Sequence, residues 1–134
     1  MNAGHTNIVL GYTPAPHSRA ALVRAIEIAH NRSAHLVVVN ATPGDRYSDP
    51  SFATSEEIGE LERQLRDQGV SFEIRRPMRG RDGGDEVVAT ADEVGAELIV
   101  IGLRRRSAVG KLLLGSIAQR ILLDAHCDVL AVKP

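Results

Sequence analysis

A single cysteine, Cys127, excludes an intrachain disulfide and points to a reducing compartment. Its place just before a final apolar strand pattern makes it a small core residue rather than a reactive thiol. Tryptophan is absent, and Tyr12, Tyr47, Phe52 and Phe72 are the only aromatic residues of the phenylalanine and tyrosine type, so stacking platforms for single-stranded nucleic acid are nearly missing. A formal net charge of −1 gives no bulk attraction to nucleic acid or to an anionic membrane. No apolar run approaches the roughly 20 residues of a membrane span. The first residues, M-N-A-G-H-T-N, lack a basic region followed by an apolar one, so the expected setting is the cytoplasm, without membrane contact. The histidines His5, His17, His30, His35 and His126 show no paired spacing on one helix face, which gives surface roles rather than zinc, and no metal is expected.

What is present is a length of 134 residues, 43% of them apolar, enough for one core and one domain spanning residues 1–134. Ile8–Tyr12 is a short apolar run stopped by Thr13-Pro14, a first strand. From Pro16 onward Leu22, Ala25, Ile26 and Ala29 recur at helical spacing, with the proline suited to the first turn. Leu36–Val39 does not alternate with polar residues and so predicts a strand buried on both faces. After a loop at Asn40–Asp45 and a polar connection from Arg46 to about Phe52, Ile58, Leu61 and Leu65 mark a second helix ended by Gly69. Val70, Phe72 and Ile74 alternate with Ser71, Glu73 and Arg75, a pattern that suits an edge strand. A basic, glycine-containing loop, Met78–Gly84, leads into a helix with Val87, Val88, Ala91 and Val94 that Gly95 closes. Glu97–Ile101 is a fourth strand, Ile117, Ile121, Leu122 and Ala125 mark a fourth helix from about Leu114, and Val129–Val132 is the last strand.

The order βαβαβαβαβ, with apolar central strands, implies an α/β fold: a single doubly wound, five-stranded, mostly parallel sheet with helices on both faces. Right-handed crossovers leave strand orders 3-2-1-4-5 and 2-1-3-4-5, and the amphipathic third strand favours the first. The winding then reverses between strands 1 and 4 and opens a crevice at their carboxyl ends, where Thr13 and Gly102 meet.

The stretch from Leu98 to Ser116 organises the rest: a buried strand, a loop rich in arginine and glycine, and a helix start at Gly115-Ser116, whose backbone N–H groups lack intrahelical acceptors and suit a phosphate. Gly102, two residues, Arg105, nine residues and Gly115-Ser116 resemble the C-terminal signature G-x2-G-x9-G-[ST] of universal stress proteins. Chain length, element order and the ending L-L-D-A-H-C-D-V-L-A-V are similar to that family as well. The resemblance implies a Rossmann-like fold of order 3-2-1-4-5, a role in stress response, a homodimer paired through the last strand and, in one subset of members, bound ATP or AMP. The matching cofactor-binding positions are Thr13, Ala41, Gly102, Arg105, Gly115, Ser116 and Ile117. Three positions depart from the nucleotide-binding pattern. Thr13 stands where binders carry an aspartate, Arg105 replaces the second glycine, and Ala118 replaces a hydroxyl two residues after Ser116.

Arg104, Arg105, Arg106 and Lys111 place four cations within eight residues, a phosphate clamp beside a helix start. Arg75, Arg76, Arg79 and Arg81 form a second basic group about 14 Å away at ordinary strand spacing, better suited to the sheet edge or a partner. V-G-K-L fails as a P-loop, since Arg105 and Leu112 stand where a glycine and a hydroxyl are required. Asp92-Glu93 reads as a solvated helix face, and Ser116 as a helix cap in preference to a phosphorylation site. No nucleophile, base and orienting acid are recognisable, so no catalytic residue is assigned, and at most weak ATP hydrolysis is expected. Two functions remain. One is a nucleotide-responsive protein holding ATP or AMP between strands 1 and 4. The other is a dimeric interaction module in which Arg105 closes the cleft and an unknown protein partner is bound. The last strand, Val129–Val132, is an open apolar edge without internal proline or lysine, which a second copy would cover.

Overall fold

The computed structural model describes residues 6–40, 53–77, 82–105 and 112–134. In chain order these form β1 (Asn7–Tyr12), α1 (Pro16–Arg32), β2 (His35–Asn40), α2 (Ser55–Asp67), β3 (Ser71–Arg75), α3 (Gly83–Val94), β4 (Leu98–Gly102), β5 (Arg104–Arg105), β6 (Leu112–Leu113), α4 (Ser116–Asp124) and β7 (Asp128–Val132). The five longer strands make one parallel sheet in the order β3-β2-β1-β4-β7, the expected 3-2-1-4-5 when β7 is counted as the fifth.

Side chains alternate across a strand, so a central strand covered on both faces is apolar on both sides along its middle. Ile8, Leu10, Leu36, Val38, Leu98 and Val100 face the layer holding α1 and α2, where they meet Ala21, Leu22, Ala25, Leu61 and Leu65. Val9, Val37, Val39, Ile99 and Ile101 face the other way, onto Val87 and Ala91 of α3 and Ala118 and Ile121 of α4. The edge strand β3 is covered differently. Phe72 and Ile74 pack on the first layer, while Ser71, Glu73 and Arg75 form a polar row on the opposite face.

Local chemistry sets the helix ends. Pro16 opens α1 after the extended Ala15. Thr54 and Glu57 form a reciprocal capping box on α2, with N–H to side-chain oxygen distances of 2.8 and 3.1 Å. Gly95 closes α3 at φ 62°, a left-handed conformation that costs glycine nothing.

Two expectations need correction. The segment after β4 is not loop throughout, because Arg104 and Arg105 pair antiparallel with Leu113 and Leu112 as a separate two-stranded ladder. A two-residue strand carries no periodicity, so no sequence pattern could announce it. The fourth helix begins at Ser116 rather than about Leu114, and its N-cap is Gly115 with no side-chain bond. Ser116 therefore does not cap the helix; it is the first helical residue.

Leu65 is fully buried and Leu123 is 83% exposed, so the two leucines separate packing from residue type. Leu65→Ala is expected to cost about 2–5 kcal/mol and Leu123→Ala to stay within about 0.5 kcal/mol, read by urea denaturation.

Candidate functional site

The carboxyl ends of β1 and β4 lie side by side where the winding reverses. β1 stops because Pro14 cannot donate to a ladder, and the chain turns at once into α1. The turn is fixed by Ser18, which is buried. Its Oγ accepts the Thr13 N–H at 3.0 Å and lies 3.2 Å from the Thr13 hydroxyl. The Thr13 side chain is thus engaged by the fold itself.

On the β4 side Gly102 meets the first turn of α1. A Cβ at Gly102 would lie 2.8 Å from the His17 carbonyl carbon and closer still to its oxygen, and 3.4 Å from Cδ2 of the imidazole. Only a residue without a side chain permits that approach. It lays the His17 ring, half-buried, against the end of β4. Burial first, then the Arg104 guanidinium, pushes the His17 pKa below its ordinary value. Arg104 is exposed at the start of β5, and its Nε lies 3.9 Å from where a Gly115 Cβ would stand. An imidazole, a guanidinium and the N-terminus of α4 therefore share one rim.

At that N-terminus the first intrahelical bond runs from the Gln119 N–H to the Gly115 carbonyl, 2.9 Å. The N–H groups of Ser116 and Ile117 precede it and have no acceptor within the helix. Such a terminus favours an anion, more so beside a cation.

A second set of bonds braces the crevice from β2. The buried Asn40 donates from Nδ2 to the Tyr12 carbonyl (3.1 Å) and accepts the Ala53 N–H on Oδ1 (2.8 Å), tying the end of β1 to the approach to α2. Arg76 donates to the Ala53 carbonyl from the other side. The Tyr12 phenol is pushed up by burial; Arg19 opposes the shift and Glu57 adds to it.

Of the positions expected to bind a cofactor, Thr13, Gly102, Gly115, Ser116 and Ile117 stand at this edge. The backbone of Arg105 is paired with Leu112, and its side chain lies outside the described residues, as do Ala41, Arg106, Ser107 and Lys111. His17 lines the candidate site and was missed by sequence reading: a lone histidine in a helix's first turn carries no spacing signal, and only the contact with Gly102 reveals its place. The second basic group is also reinterpreted. Arg75 is paired to Glu73 and Glu93, and Arg76 braces Ala53, while Arg79 and Arg81 lie outside the described residues. Asp92 and Glu93 are not simply solvated, since Asp92 meets His126 at 3.1 Å and Glu93 meets Arg75 at 3.1 Å. Cys127 is half-buried and packs against the core; burial, then Asp128 and Asp92, pushes its thiol pKa up, which makes it a poor nucleophile. Among the described residues no cluster of three or more His, Cys, Asp or Glu could hold a metal, and no helix is long and apolar enough to cross a membrane.

A doubly wound parallel sheet with a crevice at its switch point defines a Rossmann-like α/β fold. The family described as the universal stress protein family matches residues 4–133. A universal stress protein of Mycolicibacterium smegmatis is 52% identical over 127 residues, covering 95% of this chain and 97% of its own. The structure of a universal stress protein from Archaeoglobus fulgidus superposes with a TM-score of 0.80 at 32% identity, covering 96% of this chain and 98% of that one. A universal stress protein from the same organism in complex with dAMP superposes at 0.67 with 27% identity, again over 96% and 98% of the two chains. The chain belongs to the universal stress protein family.

The lowered His17 pKa has a sign that can be tested. The unfolded chain binds the proton more tightly than the folded one, so this contribution to stability is present above the ordinary imidazole pKa of about 6.5 and is lost as pH falls through the lower folded value. His17→Gln is expected to flatten that part of the stability profile, measured by urea unfolding between pH 5 and 8 in roughly half-unit steps. Gly102→Ala is expected to lower Tm by several degrees, since α1 must move to admit a methyl group, and calorimetry checks it.

Proposed function

We propose that this protein is a stress-response protein that holds ATP or AMP in the crevice between β1 and β4 and reports nucleotide level without appreciable turnover. The observation that carries the reading is the rim at which Arg104 lies over Gly115, beside His17 and the first N–H groups of α4. One cation and several N–H donors share this rim, the complement of a phosphate. The dAMP bound by the Archaeoglobus fulgidus relative supports an adenine nucleotide as the anion. In this reading Gly102, Gly115, Ser116 and Ile117 border the phosphates, and Thr13 lies toward the nucleoside. The cytoplasm is the proposed setting.

One observation favours a second reading. The Thr13 hydroxyl is engaged with Ser18 and brings no carboxylate to a ribose or base. In that case Arg105 closes the cleft, and the protein acts as a dimeric interaction module for a protein partner. Both readings include a homodimer, because β7 lies at the edge of the sheet with Val129, Leu130, Ala131 and Val132 only partly covered. A two-fold antiparallel partner strand covers it, and sedimentation at micromolar concentration is expected to give twice the chain mass.

Nucleotide released from the denatured protein, identified by anion exchange, and calorimetric titration of ATP and AMP into the emptied protein test the first reading. Arg104→Gln is expected to weaken binding by roughly tenfold or more, the loss of a charge-assisted hydrogen bond of about 1.5–3 kcal/mol. Arg105→Gly separates the roles of that residue: a gain in affinity identifies a plug, a loss identifies a phosphate ligand. No released nucleotide and no heat at millimolar ATP leave the interaction module.

A further inference from the structure

The polar row on β3 holds a second constellation, at the opposite end of the sheet from the crevice. His35 and Ser71 are the first residues of β2 and β3 and are paired in register. Nδ1 of His35 lies 2.7 Å from Ser71 Oγ, and Nε2 lies 3.1 Å from Glu73 Oε1. Glu73 is held in turn by Arg75 Nε at 2.9 Å, and Arg75 by Glu93 of α3 at 3.1 Å. The Arg75 hydrogen bond, partly opposed by burial and aided by His35, keeps the Glu73 carboxyl below the usual carboxylate range.

An ionised carboxylate only accepts hydrogen bonds, so the proton on Nε2 must face Glu73. Nδ1 then carries the lone pair, and the Ser71 hydroxyl donates to it. In the neutral imidazole both proton positions follow from the charge on Glu73. A hydroxyl, a base with its lone pair toward that hydroxyl, and an acid orienting the base are the three parts that activate a serine. The acid itself is fixed by Arg75, so the set is preoriented.

We propose that Ser71 is an activated nucleophile, with His35 as its general base and Glu73 as the positioning residue, and that it takes acyl groups from activated acyl donors. Ser71 is exposed on an edge strand, in water, so the arrangement strengthens the attacking oxygen and does little for the leaving group. Aryl esters, thioesters and acyl phosphates, which carry good leaving groups, are the class it fits. Ser71 Oγ forms a bond to the carbonyl carbon as the bond to the leaving group breaks. The hydroxyl proton passes to His35 Nδ1 and from there to the departing phenolate, thiolate or phosphate. Water attacking acyl-Ser71 with His35 again as base releases the carboxylic acid and restores the serine.

The full chain incubated with p-nitrophenyl acetate, followed by p-nitrophenolate release and peptide mass spectrometry, tests this. Acetyl-Ser71 is expected to form at least about tenfold faster than acetylation of the exposed Ser33 and Ser116, since a positioned general base contributes about 100-fold or more. His35→Gln is expected to bring Ser71 down to the rate of those serines, and Glu73→Gln to slow it while leaving Tm within a few degrees. Acetylation of Ser71 at the rate of Ser33 and Ser116 in the unaltered chain overturns the proposal whatever the variants do. An unchanged Ser71 rate in a folded His35→Gln variant overturns the role of the base.

Discussion

The close approach of the first turn of α1 to Gly102 is the contact on which the arrangement of this protein's crevice depends. It requires a glycine at the end of β4 and a chain that turns from β1 into a helix within three residues. Pro14 ends the ladder, Pro16 begins the helix, and Ser18 closes the turn by accepting the Thr13 N–H. With the helix start held there, the His17 imidazole lies against β4, and Arg104 is near enough to disfavour its charge. One steric constraint thereby sets both the shape and the electrostatics of the site.

The crevice is also braced by polar groups that the core cannot leave unpaired. Asn40 is buried, and each of its amide atoms has a backbone partner, one at the end of β1 and one before α2. A buried amide left without partners costs about 1–3 kcal/mol, so Asn40 strongly favours one arrangement of the segments it joins. The apolar layers on either side hold the sheet together, but they are tolerant of small shifts. The hydrogen bonds at the carboxyl edge are what make its geometry specific.

The two edges of the sheet solve different problems. β3 has apolar residues toward α1 and α2 and a row of mutually bonded polar residues on the other face, beyond the cover of α3 except where Glu93 reaches Arg75. Charged side chains of this kind protect an edge from pairing with another chain. β7 has no such row and remains partly apolar. The asymmetry leaves β7 the less protected of the two edges.

Sequence alone determined the layers, the strand order and the family resemblance. Those depend on periodicity, on Pro16 and Gly95 at helix ends, and on the apolar centres of β1, β2 and β4, all of them local or pairwise signals. The alternation of Val70 to Arg75 even placed β3 at an edge. It also pointed to the Gly102 and Gly115-Ser116 portions of the candidate site, because glycine and a helix start have recognisable spacing. Tertiary structure alone decided the rest. His17, Asn40 and the pairing of His35 with Ser71 and Glu73 join residues far apart in the chain, and no periodic pattern records which side chains a parallel sheet brings into register. Gly115 rather than Ser116 became the cap of α4 because the first helical hydrogen bond, from the Gln119 N–H, ends on the Gly115 carbonyl, and Arg104 and Arg105 became a strand because they pair with Leu113 and Leu112.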